Sequence, residues 1–198
     1  MIGANYSGNN TCTFSVWAPL KKKMTLHIVQ PAERKIEMQR NEEGYFSIEV
    51  ADVSPGTRYF FIPADEKDYP DPASHEQPEG VHGPSAVVDH NSYKWNDTQW
   101  KGIPFHEYII YELHVGTFTP EGTFEAIIPR LDELKETGIN VIQLMPVSQF
   151  PGTRNWGYDG AFPYAVQNTY GGPNGLKKLV DACHQKGMAV ILDVVYNH

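Results

Sequence analysis

Cysteine is scarce in this 198-residue chain: Cys12 and Cys183 are the only two, and they lie far apart. That scarcity excludes a small disulfide-stapled scaffold, which pairs several closely spaced cysteines. No apolar run approaches the ~18 residues of a membrane helix, so a membrane-spanning protein is not expected. Positive charge is also short. Sixteen Lys and Arg stand against 24 Asp and Glu, a net charge of −8, the wrong sign for gripping a phosphate backbone. Nucleic acid is therefore not an expected partner. The opening Met1-Ile2-Gly3-Ala4-Asn5-Tyr6 has neither the basic nor the apolar region of a secretory leader, and a reduced, cytoplasmic protein is the expectation.

What is present divides into two stretches of different period. Residues 12–90 carry short alternating runs, including Thr13-Phe14-Ser15-Val16-Trp17, Thr25-Leu26-His27-Ile28-Val29, Tyr45-Phe46-Ser47-Ile48-Glu49-Val50 and Arg58-Tyr59-Phe60-Phe61-Ile62. Pro19, Pro31, Glu43-Gly44 and Ser54-Pro55-Gly56 punctuate them. Strand period broken by turns at this density predicts a small antiparallel β-sandwich. Trp17, on an alternating strand, is assigned to its core, and Lys21-Lys22-Lys23 to a solvated turn. The Pro- and Gly-rich stretch at 69–84 is expected to run irregularly across a surface.

From residue 107 the order becomes strand, helix, strand, helix, strand. Ile109-Ile110-Tyr111-Glu112-Leu113-His114-Val115, Val141-Ile142-Gln143-Leu144-Met145 and Met188-Ala189-Val190-Ile191-Leu192-Asp193-Val194-Val195 read as buried parallel strands. Between them, Phe124, Ile127, Ile128, Leu131 and Leu134 form an apolar helical stripe. Thr123 is its N-cap, Gly138 its terminator, and Pro129 kinks it or marks its true start. Leu176, Leu179, Val180 and Cys183, with Pro173 in the first turn and Gly187 at the end, mark a second helix. This alternation fits a doubly wound sheet or a (β/α)8 TIM barrel. The loop after His114 lacks the glycine-rich spacing of a nucleotide-binding turn, which favours the barrel. A complete barrel takes roughly 250 residues, so this one is incomplete, with its first three strands and two helices. The expected organisation is residues 1–96 as the sandwich and 97–198 as the amino-terminal part of the barrel, joined through residues 91–104.

In a barrel the reactive groups stand at the carboxyl ends of strands and in the loops that follow. Here those places hold Asn155-Trp156-Gly157-Tyr158-Asp159-Gly160 after the second strand and Tyr196-Asn197-His198 after the third. His114, at the end of the first, is read as a satisfied core-edge histidine.

Asp193-Val194-Val195-Tyr196-Asn197-His198 resembles the first sequence signature of the α-amylase superfamily of glycoside hydrolases and transferases. Trp156-Gly157-Tyr158-Asp159-Gly160 and Tyr111-Glu112-Leu113-His114-Val115-Gly116-Thr117-Phe118 are similar to its branching-enzyme and malto-oligosyltrehalose trehalohydrolase subgroup. The stretch from Pro70-Asp71-Pro72-Ala73-Ser74 to Gly83-Pro84-Ser85 is similar to the trehalohydrolases in particular. The resemblance implies an early-set, carbohydrate-binding-module-like sandwich ahead of the barrel. It further implies a retaining hydrolysis that releases trehalose from malto-oligosyltrehalose or acts on another α-glucan, in trehalose biosynthesis and without a cofactor.

Residue by residue, Tyr158 matches the ring that stacks on the sugar beside the cleaved bond, and His198 matches a histidine that bonds a hydroxyl of that sugar. Trp156 and Asp159 line the same mouth. Asp193 is taken as an orienting carboxylate, and Asn197 matches a calcium-ligating position whose companion ligands are not found, so no metal is assigned. The family's nucleophile and acid/base follow the fourth and fifth strands. No catalytic residue is therefore assigned here, and no turnover is expected from these residues alone. A branching-enzyme fragment and a noncatalytic glucan-binding protein are the alternatives. Self-association through the open barrel is the expected physical consequence.

Overall fold

The structure, a computed structural model, describes residues 1–64 and 67–196. Its contacts divide the chain into two units, Met1–His90 and Asn91–His198.

The first unit contains eight strands among the described residues: β1 (Gly3–Gly8), β2 (Thr11–Trp17), β3 (Met24–Gln30), β4 (Arg34–Glu37), β5 (Gln39–Arg40), β6 (Tyr45–Ala51), β7 (Arg58–Pro63) and β8 (Ser85–Ala86). They form two antiparallel sheets, ordered β1-β2-β6-β5 and β4-β3-β7-β8. The pleat sends alternate residues to opposite faces, so Cys12, Phe14 and Val16 of β2 point inward with Phe46 and Val50 of β6. They pack there against Leu26, Ile28, Tyr59 and Phe61 of the other sheet. Phe14 meets Tyr59 edge-on at 4.8 Å between centroids. Burying each such ring stabilises the fold by about 1.5–3 kcal/mol.

Two expectations are corrected in this unit. Trp17 does not enter the core. It follows Val16 on the opposite parity of β2 and is 58% exposed. The 69–84 stretch is not merely draped across a surface, because its polar residues are among the most buried of the unit. Asp71 and Gln77 are fully buried. Asp71 accepts from the Tyr59 hydroxyl at 2.6 Å and from the Ala73 amide at 2.8 Å. Ser85 Oγ accepts from the Asp71 amide and donates to Gln77 Oε1 at 2.6 Å. Burial raises the Asp71 carboxyl pKa against these two donors. The Pro- and Gly-rich segment is thus pinned by a closed polar network.

In the second unit, β9 (Ile110–Leu113), β10 (Val141–Leu144) and β13 (Ala189–Leu192) form a parallel sheet ordered β13-β10-β9. Between β9 and β10 lie α1 (Val115–Phe118), α2 (Phe124–Ile127) and α3 (Leu131–Glu136). Thr123 caps α2 by accepting from the Ala126 amide at 3.3 Å. Pro129 sits in a 3-10 turn, Ile128–Arg130, that separates α2 from α3, because its ring excludes the helical hydrogen bond there. α4 (Gly172–Gln185) buries Leu179 and Cys183 beside Phe124, Ile127, Leu131, Ile142 and Leu144.

The loop after β10 contains a hairpin that periodicity did not announce: β11 (Ser148–Gln149) pairs antiparallel with β12 (Phe162–Val166). The third parallel strand is also shorter than expected. Asp193 lies one residue past β13, with its amide donating to the Leu144 carbonyl at 2.9 Å.

The expected boundary at 96/97 differs from the contact division at 90/91, and side chains explain the difference. Asp181 of α4 accepts from the Asn96 amide and Asn96 Nδ2, both at 2.9 Å, and from the Tyr93 hydroxyl at 3.3 Å. His184 bonds Asp97 at 2.7 Å and stacks on Trp100 at 4.6 Å. Residues 93–100 are therefore fastened to the helix of the second unit.

Candidate functional site

The carboxyl ends of the three parallel strands converge on one group of side chains. At β9, His114 Nε2 lies 2.7 Å from the Asn155 carbonyl. A carbonyl only accepts, so Nε2 carries the hydrogen, and Nδ1 faces Thr117 Oγ1 at 3.1 Å. Tyr170, whose hydroxyl is 2.9 Å from His114 Nε2, sets its ring edge-on to Phe124 and Phe150. Burial pushes its phenol up to about 12. His114 is thus a satisfied histidine that fixes a loop, and it also lines the cavity described below.

Asn155 shapes that loop with its own amide. Its Oδ1 accepts from the Gly157 amide at 2.7 Å, and its Nδ2 donates to Asp159 Oδ2 at 2.8 Å. Gly157 has φ +98°, and a Cβ there would lie 2.1 Å from the Pro146 carbonyl oxygen; no other residue fits. Buried Gln149 and Gln167 brace the loop's start. Gln167 Oε1 accepts from the Phe150 amide at 3.0 Å, and Gln149 Oε1 from the Asn168 amide at 2.9 Å.

This frame holds Trp156 and Tyr158 out toward solvent, 61% and 42% exposed. Trp156 packs edge-on to His114 at 4.9 Å. Tyr158 donates to Asp193 Oδ2 at 2.9 Å. That bond, some desolvation and the nearby charges of Asp193 and Glu112 raise its phenol pKa.

The result is a cavity of about 710 Å³ lined by His114, Gly116, Thr117, Thr153, Arg154, Asn155, Trp156, Tyr158 and Asp159. Aromatic faces suit the apolar CH surface of a pyranose, and the amide, guanidinium and carboxylate around them suit its hydroxyls. Retaining hydrolysis uses two carboxyl groups roughly 5 Å apart, and Asp159 is the one carboxylate among these lining residues.

The structure therefore brings together Trp156, Tyr158 and Asp159, with Asp193 bonded to Tyr158. Asn197 and His198 lie outside the described residues. No group of three His, Cys, Asp or Glu among the described residues is placed to hold a metal ion. Sequence reasoning missed Arg154, Thr153 and Thr117. It also passed over Glu112 and Gln143, which pair across β9 and β10 at 2.9 Å. Each is a polar residue inside an otherwise apolar strand run, a signal that was available.

With this geometry, residues 74–198 match the model of the alpha amylase catalytic domain, and residues 1–73 that of carbohydrate-binding module 48, the isoamylase N-terminal domain. The chain belongs to the α-amylase family.

Among its relatives, a malto-oligosyltrehalose trehalohydrolase of Saccharolobus solfataricus is 51% identical over 94% of this chain and 33% of its own length. A 1,4-alpha-glucan branching enzyme of Pseudoalteromonas atlantica is 32% identical over 82% of this chain and 25% of its own length. A pullulanase from Anoxybacillus sp. LM18-11, crystallised with maltotetraose, superposes with a TM-score of 0.84 at 27% identity, covering all of this chain and 35% of the pullulanase. The chain spans about a third of the length of these α-amylase family members. Among the described residues, no helix is long and apolar enough to cross a membrane.

Proposed function

We propose that this chain is the amino-terminal portion of a trehalose-releasing glycoside hydrolase, acting on malto-oligosyltrehalose in trehalose biosynthesis. In this reading its cavity supplies one wall of the sugar-gripping mouth. The observation that carries the reading is the 51% identity to a malto-oligosyltrehalose trehalohydrolase, well above the 32% to a branching enzyme. Tyr158 stacks on the sugar nearest the scissile bond, Asp193 orients Tyr158, and Trp156 with Asp159 holds the neighbouring ring. The acid, the nucleophile and the supporting carboxylate come from outside these 198 residues, so the chain by itself binds and does not hydrolyse. Its setting is the reduced cytoplasm, where buried Cys12 and Cys183 stay free thiols.

Self-association belongs to the same reading. Ile110, Leu192 and Val194 are roughly half exposed around the parallel sheet, and apolar surface left open in this way is covered by a second copy. Light scattering is expected to give a mass above the 22.3 kDa of one chain; a monodisperse monomer contradicts this part.

The test of the main reading is a titration of the chain, followed by intrinsic fluorescence, with malto-oligosyltrehalose and with a plain malto-oligosaccharide of equal length. Tighter binding of the trehalose-capped ligand, weakened by Tyr158→Ala and Trp156→Ala, supports the reading. Equal binding of the two, or indifference to both substitutions, overturns it.

A further inference from the structure

Two histidines of the first unit meet nitrogen to nitrogen. His75 Nδ1 stands 2.5 Å from His90 Nε2, with the ring centroids 4.6 Å apart and the planes inclined by 62°, so the two nitrogens face each other close to the line that joins the rings. In a neutral imidazole each ring nitrogen is either an N–H or a lone pair. Two lone pairs repel at this range, and so do two N–H groups. Something electron-poor must lie between the nitrogens, and in the chain alone it is a proton that one ring carries and the other accepts.

The backbone under both rings is tied down. Before His75, the Ser74 amide donates to the Asp71 carbonyl at 3.0 Å. After it, the Glu76 carbonyl accepts from Ser74 Oγ and from the Ala86 amide, both at 2.9 Å, which lays residues 74–76 beside residue 86. The approach to His90 is held by buried Val87, whose amide donates to the Thr57 carbonyl at 3.0 Å and whose carbonyl accepts from the Gly56 amide at 2.8 Å. Ligands mounted in advance on fixed backbone lose little entropy when they close on an ion. His75 is half-buried and His90 exposed, so an ion arrives from solvent and the His90 ring has room to yield.

We propose that His75 and His90 form a binding site for one divalent transition-metal ion, nickel(II), copper(II) or zinc(II), which takes the place of the proton between them. The inference goes beyond the proposed function, because it uses none of the cavity residues and no sugar. Imidazole nitrogens select these ions, whereas magnesium and calcium ask for oxygen ligands. Two nitrogens at about 2.0–2.1 Å from one ion stand about 2.9 Å apart in a square-planar site and about 3.3 Å apart in a tetrahedral one. The rings therefore part by less than about 1 Å to admit it. The ring that donates switches tautomer as the ion enters, moving its proton to its other nitrogen, so both facing nitrogens ligate and no proton is lost. Among the described residues no third His, Cys, Asp or Glu completes the set; water takes the remaining positions, and the ion exchanges. The net charge of −8 draws cations to the chain. Once bound, the ion clamps residue 90 to residue 75 and stabilises the folded chain by mass action.

The test is titration calorimetry of the intact chain with nickel chloride, zinc chloride and magnesium chloride at pH 7.5. One equivalent of nickel and one of zinc are expected to bind, and magnesium is not. His75→Gln and His90→Gln, which keep a polar side chain of similar reach without the imidazole, are each expected to lose this binding. His90→Cys is expected to recover zinc, because a thiolate is a zinc ligand, and that recovery separates ligation from a folding defect. Nickel is also expected to raise the Tm of the wild type and to leave that of either Gln variant where it was. No saturable uptake by the wild type, equal uptake of magnesium, or a His90→Cys chain that takes up no zinc overturns the site. Uptake that is the same in the wild type and in both Gln variants places the metal on other histidines of the chain and overturns it as well.

Discussion

The Tyr158 hydroxyl donates to Asp193 Oδ2 at 2.9 Å, tying the loop after the second parallel strand to the residue that follows the third. One bond thereby fixes the ring most suited to stack on a sugar. Because the bond fixes the ring and the ring makes the contact, the two effects separate. Tyr158→Phe keeps the face and frees it, and is expected to weaken malto-oligosyltrehalose binding about threefold. Tyr158→Ala removes the face and is expected to cost about tenfold or more. Titration calorimetry reads both; equal losses in the two variants contradict a stacking role.

Gly157 allows that loop to pass Pro146. A Cβ there would meet a carbonyl oxygen at 2.1 Å, far inside contact distance and at a positive φ. Gly157→Ala is expected to lose about 1–3 kcal/mol in urea denaturation and to weaken glucan binding as Trp156 and Tyr158 shift. Unchanged stability contradicts the close approach.

Asp181 holds residues 93–96 to α4. Burial alone raises its pKa, but the donors Asn96, Tyr93 and Gln185 outweigh it and hold the carboxyl below its ordinary range. A depressed folded pKa contributes stability that is present above the unfolded value and lost as pH falls through the folded one. Asp181→Ala is therefore expected to lower stability at neutral pH by about 1–3 kcal/mol and to expose residues 91–100 to limited proteolysis. The difference from wild type should shrink toward acid pH, and a difference that grows there contradicts the sign.

Both cysteines are fully buried, and burial pushes each thiol up to about 12. Since the thiolate is the reactive form, neither is expected to react with a chromogenic disulfide at pH 8 until denaturant is added, when two equivalents should appear. Rapid reaction of either thiol in the folded chain contradicts its placement.

Particular residues explain how far the sequence could be read. The stripe Leu176, Leu179 and Cys183 and the apolar runs around Ile142 and Val190 lie in α4, β10 and β13, because burial against a sheet imposes a period that survives in sequence. The run around Ile110 also forms a strand, β9, but it is not the buried one expected, since Ile110, Tyr111 and Glu112 are exposed and only Leu113 is buried. The β11–β12 hairpin left no such trace. Two of its residues are Ser148 and Gln149, and its position is set by buried glutamine amides bonded to backbone. Trp17 was legible but misread: the parity that sends Phe14 and Val16 inward sends Trp17 outward, and hydrophobicity alone hid that. The mouth was half legible. Trp156, Tyr158 and Asp159 stand out by type and position, whereas Arg154 and Thr117 join them only through the three-dimensional path that His114 and Asn155 impose.

The central claim is that this chain grips a trehalose-capped glucan without breaking it. The most direct measurement is saturation-transfer NMR of malto-oligosyltrehalose with the chain, followed over hours. The account predicts saturation of the ligand's sugar protons and a spectrum that does not change with time. A growing signal of free trehalose, or no transfer to the ligand at all, contradicts it.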